Sequence, residues 1–329
     1  MSSLISQTVH SQQTKKLFMK YLKIGLIAFC VLVLAVSGIA YVIYSNANTE
    51  LKALDESARR NVSGSFVRLS GGITHYELSG PDTGRVVLLV HGFSVPYYIW
   101  DSTQAGLADA GFRVLRFDMF GRGYSDRPDK VYDAALYRSQ ISELLDSLGI
   151  KSLYALAGVS FGSAVATDFV VTHPELAKKI ILVDPIFPGF DPTGYPEFMI
   201  RFQMAIAPEN LVAGQLTDLK YPARFPRWAD QYRVQMQYTG FRRALVSTMT
   251  HYGPRDIATA NYKRLNQLNK PVLLIWGKED NTVPFKRSDS LRSVLKTTFV
   301  PVEDAAHLPQ MEKASFVNEK IISFLNSGQ

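Results

Sequence analysis

Ser160 lies in the pentapeptide Gly158–Gly162 (GVSFG), a pattern typical of a nucleophilic serine. A strand-like apolar run, Leu153–Ala157, comes directly before it, and a helix-like run of small and apolar residues begins at Phe161. A serine raised on a tight turn between a strand and a helix needs glycine on both sides, because larger side chains would collide with the neighbouring elements. The start of a helix also favours the negative charge that acyl transfer generates. The pattern therefore predicts covalent catalysis by a serine.

A nucleophilic serine requires a base, and the base requires an acid that orients it. Of the six histidines, His307 fits best as the base, because it follows the predicted strand Phe299–Val302 and precedes the last predicted helix. Asp280 is the predicted acid, directly after the predicted strand Pro271–Trp276, and Asp184 holds the rival position after the preceding strand. Sheets of α/β proteins keep their chemistry at the carboxyl ends of the strands, where these residues fall.

Two backbone N–H donors are needed to stabilise the oxyanion of an acyl-transfer intermediate. One predicted donor is Phe161, the residue directly after the nucleophile. The other is Phe93, in the loop after the predicted strand Val86–Val90, where Gly92 lets the chain turn close to the site. His91 in the same loop is predicted to be structural, because the serine already has a better-placed base.

The segments that must position these residues alternate between strand and helix from Ser65 onward. Such alternation predicts an α/β protein with a mostly parallel, eight-stranded sheet between helices. Pro185–Arg264 is the exception, because it has no clear buried strand and is rich in aromatic residues, Met and Pro. We expect a helical lid there, at about residues 186–264, inserted after the sixth strand. The predicted strands are 65–70, 73–78, 86–90, 113–117, 153–157, 179–183, 271–276 and 299–302.

Composition and charge exclude several classes of protein. The 329 residues are 47% hydrophobic and 20% charged, which indicates a globular protein with a sizeable core. The net charge is +7, but seven basic and three acidic residues lie within the first 64 residues, so the remainder carries only about +3. Without a basic cluster we expect no nucleic-acid partner. The single cysteine, Cys30, excludes an intrachain disulfide.

Ile24–Tyr44 is an uncharged apolar run that reaches about 30 Å as a helix, the thickness of a bilayer core. Four lysines precede it, so the positive-inside rule places the N-terminus in the cytoplasm and the catalytic domain across the membrane. We expect an uncleaved anchor in a bacterial inner membrane, with the domain facing the periplasm or exterior. A cleaved signal peptide and secretion are the alternative. The predicted division is a basic tail at 1–23, a transmembrane helix at 24–44, a linker at 45–64 and a catalytic domain at 65–329.

These motifs resemble, in order and spacing, those of the α/β-hydrolase family and of its esterase- and lipase-like serine hydrolases. The resemblance spans about residues 65 to 325 and implies the α/β-hydrolase fold, with no metal or organic cofactor. The loop after the fourth strand also resembles the family, and we expect its role to be structural. Ser163 and Ala306 stand where the family usually has glycine, and both are small. The matching segments are His91–Phe93, Asp118–Pro128, Gly158–Gly162, Gly277–Pro284 and His307–Glu312.

The resemblance implies a carboxylesterase or lipase-like hydrolase. The family's haloalkane dehalogenases and epoxide hydrolases would have Asp at the nucleophile position. This chain has Ser160 there, which argues against both activities. An apolar lid and a membrane anchor favour a small-molecule or lipid ester with a hydrophobic acyl group, such as a monoacylglycerol. Hydrolysis of a carbon–carbon or amide bond by the same triad is an alternative. A non-catalytic, ligand-binding member of the fold is a third.

Overall fold

The computed structural model describes residues 2–189, 196–252 and 255–327, and the chain divides into two units, Met1–Asn48 and Thr49–Gln329. The first unit is a single helix, α1, Ser2–Ala47. Its segment Lys15–Ala47 is long and apolar enough to cross a membrane, and a signal sequence near the N-terminus would have the same character. Residues 190–195 and 253–254 of the predicted lid lie outside the described residues.

An eight-stranded sheet forms the centre of the second unit. Its strands are β1 Ser65–Leu69, β2 Gly72–Ser79, β3 Val86–Val90, β4 Arg113–Phe117, β5 Leu153–Val159, β6 Ala177–Val183, β7 Val272–Gly277 and β8 Thr298–Val302. Their spatial order is β1-β2-β4-β3-β5-β6-β7-β8. The pairs β1–β2 and β2–β4 are antiparallel, and all pairs from β4 to β8 are parallel. The predicted mostly parallel eight-stranded sheet is therefore confirmed.

The two faces of the sheet are buried under helices in two separate apolar clusters. Alternate residues of β3 divide between them, since Leu88 and Val90 belong to one cluster and Val87 and Leu89 to the other. Side chains of a strand alternate between faces, so β3 is covered on both sides, as its continuous apolar run predicts. The helices that follow α1 are α2 Glu56–Arg59, α3 Asp101–Asp109, α4 Ala134–Ser147, α5 Phe161–Thr172, α6 Glu197–Ile206, α7 Pro208–Thr217, α8 Trp228–Met236, α9 Phe241–His251, α10 Arg255–Gln267, α11 Arg287–Arg292, α12 Pro309–Glu312 and α13 Ala314–Asn326.

Helices α6 to α10 lie between β6 and β7 in the chain, and no strand longer than an isolated bridge occurs among the described residues of this insertion. Helix α10 packs against α5, while α6 contacts α9 and α7 contacts α8.

The last helix is shorter than the pattern suggests. A single helix over 310–326 is expected from sequence, but Lys313, with φ −126° and ψ 43°, separates α12 from α13.

Residues that directly follow α1 are hydrogen-bonded to the insertion. The Lys52 N–H donates to the Gln237 carbonyl at 2.9 Å, and the Lys52 carbonyl accepts the N–H of Thr239 at 2.9 Å. The Glu50 carboxylate accepts the N–H groups of Gly240 and Arg242, at 2.9 and 2.7 Å, where α9 begins. Part of the predicted linker therefore belongs to the hydrogen-bonded structure of the second unit.

Candidate active site

Ser160 occupies the turn between β5 and α5 with φ 53° and ψ −121°. This backbone conformation is rare for a residue with a side chain, and such strain is concentrated at functional sites. The Ser160 N–H donates to the Val183 carbonyl at 2.8 Å, which ties the turn to the end of β6. A Cβ on Gly158 would lie 2.3 Å from the Gly162 carbonyl oxygen, and a Cβ on Gly162 would lie 2.3 Å from that of His91. Both glycines are therefore required by close backbone contacts.

His307 and Asp280 form a buried hydrogen-bonded pair, with 2.7 Å between Nδ1 of the imidazole and Oδ2 of the carboxylate. Their exposed fractions are only 3% and 4%. The other carboxylate oxygen, Oδ1, accepts the N–H groups of Thr282 and Val283, each at 2.8 Å. Nδ1 carries a proton and donates it in the hydrogen bond to the carboxylate. The opposite nitrogen, Nε2, is therefore the one that can accept a proton.

The charge around His307 favours its protonated form. Burial alone would lower the pKa of His307, but the charge and hydrogen bond of Asp280, with the charge of Asp218, outweigh burial and raise that pKa above 6.5. Asp218 follows α7, and its carbonyl accepts the His307 N–H at 3.1 Å. A raised pKa makes the imidazole a stronger base, and it also means that protonation removes the base at a higher pH.

One cavity of about 530 Å³ is lined by Ser160, His307, Phe93 and Phe161. Its volume is in the range of small-molecule sites. Asp280 does not line it and contacts His307 from behind. The structure thus brings together every residue that the sequence predicted for the site. The apolar lining of the cavity includes Val95, Ile99, Ile186, Phe187, Val283 and Leu308.

The loop that carries Phe93 is held beside Ser160. A Cβ on Gly92 would be 3.6 Å from the Cβ of Ser160, so the loop passes close to the serine. The buried Arg122 donates from Nε to the Phe93 carbonyl at 2.8 Å, and its guanidinium also donates to the Tyr137 hydroxyl at 2.6 Å. The loop after β4, expected only to be structural, therefore fixes the position of a candidate oxyanion donor.

Both ring nitrogens of His91 are hydrogen-bonded to neighbouring backbone groups. Its Nδ1 lies 2.8 Å from the Gly92 carbonyl, and its Nε2 accepts the Met119 N–H at 2.9 Å. Burial lowers the pKa of His91 to about 4, so the imidazole is neutral at neutral pH. With one nitrogen donating and the other accepting, His91 has the structural role that the sequence predicts.

Asp184, the rival position for the acid, lies next to the pair. It is fully buried with φ 40°, and its Oδ1 accepts the Gly277 N–H at 2.9 Å. One ligand-type atom from each of Asp184, Asp280 and His307 lies within 4.8 Å of the others, as in some metal sites. However, 2.7 Å between His307 and Asp280 is a hydrogen-bond distance, whereas two ligands of a tetrahedral zinc ion are separated by about 3.3 Å. His307 and Asp280 are therefore spaced as a hydrogen-bonded pair, with the Asp184 carboxyl group buried beside them.

Glu312 connects the loop of His307 to the insertion. Its Oε1 accepts the N–H groups of Lys220 and Tyr221, at 2.8 and 3.0 Å, and its Oε2 accepts the Ala306 N–H at 2.8 Å. Glu312 ends the motif His307–Glu312, but the sequence does not reveal these partners, because two of them are 92 and 91 residues away.

Comparison with known proteins agrees with this geometry. A family profile described as "alpha/beta hydrolase fold" matches residues 85–314. Epoxide hydrolase 4 of Mus musculus is 26% identical over 289 residues, which cover 79% of each chain. Carboxylesterase YbfK of Bacillus subtilis (strain 168) is 24% identical over 273 residues, 80% of this chain and 88% of that protein. The crystal structure of a membrane phospholipase A, a bacterial virulence factor, superposes on this structure with a TM-score of 0.66. The two sequences are 20% identical, and the match covers 92% of this chain and 98% of the other. The chain belongs to the α/β-hydrolase family.

Proposed function

We propose that this α/β hydrolase cleaves carboxylic esters of hydrophobic acyl groups, with Ser160 as nucleophile, His307 as base and Asp280 as the orienting acid. The observation that carries the proposal is that the strained serine and the imidazole of the buried His–Asp pair line one cavity, part of whose wall is apolar. His307 takes the hydroxyl proton while Ser160 attacks the ester carbonyl. The protonated imidazole then gives that proton to the leaving alkoxide. Water, activated in the same way, hydrolyses the acyl-enzyme.

The N–H groups of Phe93 and Phe161 are the proposed donors to the oxyanion. Phe161 is the first residue of α5, where the helix dipole favours negative charge. Phe93 lines the same cavity, and the short distance between Gly92 and Ser160 supports its approach to the reacting carbonyl. Such preorganised donors contribute a large part of the rate enhancement in acyl transfer.

The apolar side chains of the cavity support a hydrophobic acyl group. The carboxylesterase and the phospholipase are ester hydrolases by name, which agrees with ester chemistry and makes lipid esters the class to test. The chain is 26% identical to epoxide hydrolase 4, but we do not extend the proposal to epoxides. The resemblance noted from the sequence implies an Asp nucleophile for that chemistry, and this chain has Ser160 at the position.

A series of p-nitrophenyl esters from acetyl to palmitoyl, at constant detergent concentration, tests the proposed substrate. We expect kcat/KM to be highest with a medium or long acyl chain, because such a chain buries more apolar surface in the cavity. Labelling of Ser160 by a fluorophosphonate probe checks that the enzyme is folded and competent. An optimum at acetyl would contradict the hydrophobic acyl group. Labelled protein that hydrolyses no ester would contradict ester chemistry and favour amide or carbon–carbon substrates.

We further propose that α1 anchors the protein, uncleaved, with the N-terminus in the cytoplasm and the catalytic unit across the membrane. The length of the apolar helix and the lysines that precede its uncharged segment support this arrangement. Protein extracted from bacterial membranes is expected to have the mass of the full chain, and protease added outside the inner membrane should digest the catalytic unit. A shorter mass would contradict the uncleaved anchor, and protection from the protease would contradict the proposed orientation.

A further inference from the structure

The side chain of Asp184 has an oxygen that the surrounding donors do not explain. Asp184 is completely buried at the end of β6, and the Gly277 N–H is bonded to its Oδ1 at 2.9 Å. The second oxygen, Oδ2, is also buried and accepts no hydrogen bond from the described residues. An ionised carboxylate would therefore leave a charged oxygen unsatisfied in the interior, which is costly.

The neighbouring groups make a second negative charge there still less favourable. Among the described residues, the carboxyl groups of Asp280 and Glu312 act on Asp184 by their charge, and the imidazole of His307 lies in the same cluster. An oxygen of Asp184 and one of Asp280 lie within 4.8 Å of each other, and carboxylates that share a buried site disfavour each other's ionisation. A proton on one of Asp184 and Asp280 at neutral pH would relieve this repulsion.

The hydrogen bonds show which of the two carries it. Asp280 accepts two backbone N–H groups and the imidazole proton of His307, so three donors stabilise its anion. Asp184 accepts the single N–H of Gly277. Burial, followed by the charge and hydrogen bond of Asp280, raises the pKa of Asp184 well above its ordinary value. The hydrogen bonds and the charge of Asp280 therefore favour the proton on Asp184.

We propose that Asp184 is a positioning residue whose neutral carboxyl group donates a hydrogen bond from Oδ2 to the Asp280 carboxylate while Oδ1 accepts the Gly277 N–H. The proposal rests on the proposed function in taking Asp280 as the orienting acid. It assigns two tasks to one side chain. Asp184 fixes the carboxylate that orients His307, and it holds the end of β7, where the loop of Asp280 begins. Because Asp184 is neutral, it adds no second charge to the environment of the base.

The variants Asp184→Asn and Asp184→Leu show whether Asp184 acts through its hydrogen bonds or only by filling space. The Asn amide is neutral, keeps an acceptor for Gly277 and keeps a donor for Asp280. We expect Asp184→Asn to retain kcat/KM within about threefold, with the acidic limb of its pH profile unmoved. Leu fills similar space but has neither group, so kcat should fall about tenfold to a hundredfold while KM changes little. Thermal unfolding of each variant identifies losses caused by misfolding.

Two results would overturn the proposal. If Asp184 were ionised, Asp184→Asn would remove a negative charge close to His307 and move the acidic limb to lower pH. If a folded Asp184→Leu enzyme matched the Asn variant in kcat, the hydrogen bond to Asp280 would have no catalytic role.

A measurement independent of ester turnover keeps this inference separate from the proposed function. Infrared difference spectra of wild type and Asp184→Asn at pH 8 should contain the carbonyl band of a protonated carboxylic acid that only the wild type possesses. Its absence would overturn the proposal even if the enzyme hydrolyses esters. The pH dependence of the rate of fluorophosphonate labelling also reports on His307, so the acidic limb can be compared even if the natural substrate is not an ester.

Discussion

Ser160→Ala is expected to lower kcat for p-nitrophenyl butyrate by about 10⁴-fold to 10⁶-fold, because it removes the hydroxyl group that we propose forms the acyl-enzyme. The rate is measured beside wild type, after mass spectrometry has shown that the variant no longer reacts with a fluorophosphonate. Ser163→Ala is the matched control. Its hydroxyl is buried in the first turn of α5 and donates to the Gly158 carbonyl at 2.7 Å.

The control should lose some stability, about 1 kcal/mol for one hydrogen bond, and retain its activity within a few-fold. The comparison separates loss of the nucleophile from a general disturbance of the turn. Activity of Ser160→Ala within tenfold of wild type would exclude Ser160 as the nucleophile and, with it, the proposed mechanism.

Asp280→Asn is expected to lower kcat by about 10³-fold to 10⁴-fold, since an amide can donate to Nδ1 and leave the proton of His307 on Nε2, the wrong nitrogen for a base. The pH profile should also change. In the wild type, the Asp280 charge raises the pKa of His307, so activity is lost as pH falls through a value above 6.5. Without that charge the imidazole holds its proton less tightly, and the acidic limb should move to lower pH.

Glu279→Gln is the control for Asp280→Asn, because Glu279 is the preceding residue and its carboxylate is exposed. It forms a surface ion pair with Lys220, of a kind that contributes about 0–1 kcal/mol. Its pH profile and kcat should match those of wild type. An Asp280→Asn enzyme that kept both the wild-type rate and the wild-type acidic limb would show that another residue orients His307.

The candidate site could be predicted in outline because its signals are local. Gly158 and Gly162 lie within two residues of Ser160, and the steric contacts that require them come from adjacent elements. Asp280 and His307 each follow a strand of the parallel sheet, so their positions at its carboxyl edge follow from chain order. The parallel core was predictable for a similar reason, because a strand buried on both faces is a continuous apolar run.

Contacts between distant segments could not be predicted in the same way. The sequence places Asp184 and Asp280 at the ends of two strands and treats them as rivals, but it does not show that those strands are neighbours and that the carboxyl groups meet. The partners of Glu312 are hidden for the same reason, since the insertion must fold back over the loop of His307 before Lys220 can reach it. The break at Lys313 interrupts a pattern that is helical throughout, so periodicity alone does not reveal it.

The contacts of Glu50 and Lys52 determine where a soluble version of the catalytic unit should begin. A truncation that starts at Thr49 removes α1 and keeps the carboxylate that accepts the N–H groups of Gly240 and Arg242. A truncation that starts at Ser65, where the first strand begins, would delete that carboxylate and leave the first turn of α9 without its acceptor. A fragment chosen to begin with the first strand of the sheet would therefore lack a support of helix α9 in the insertion.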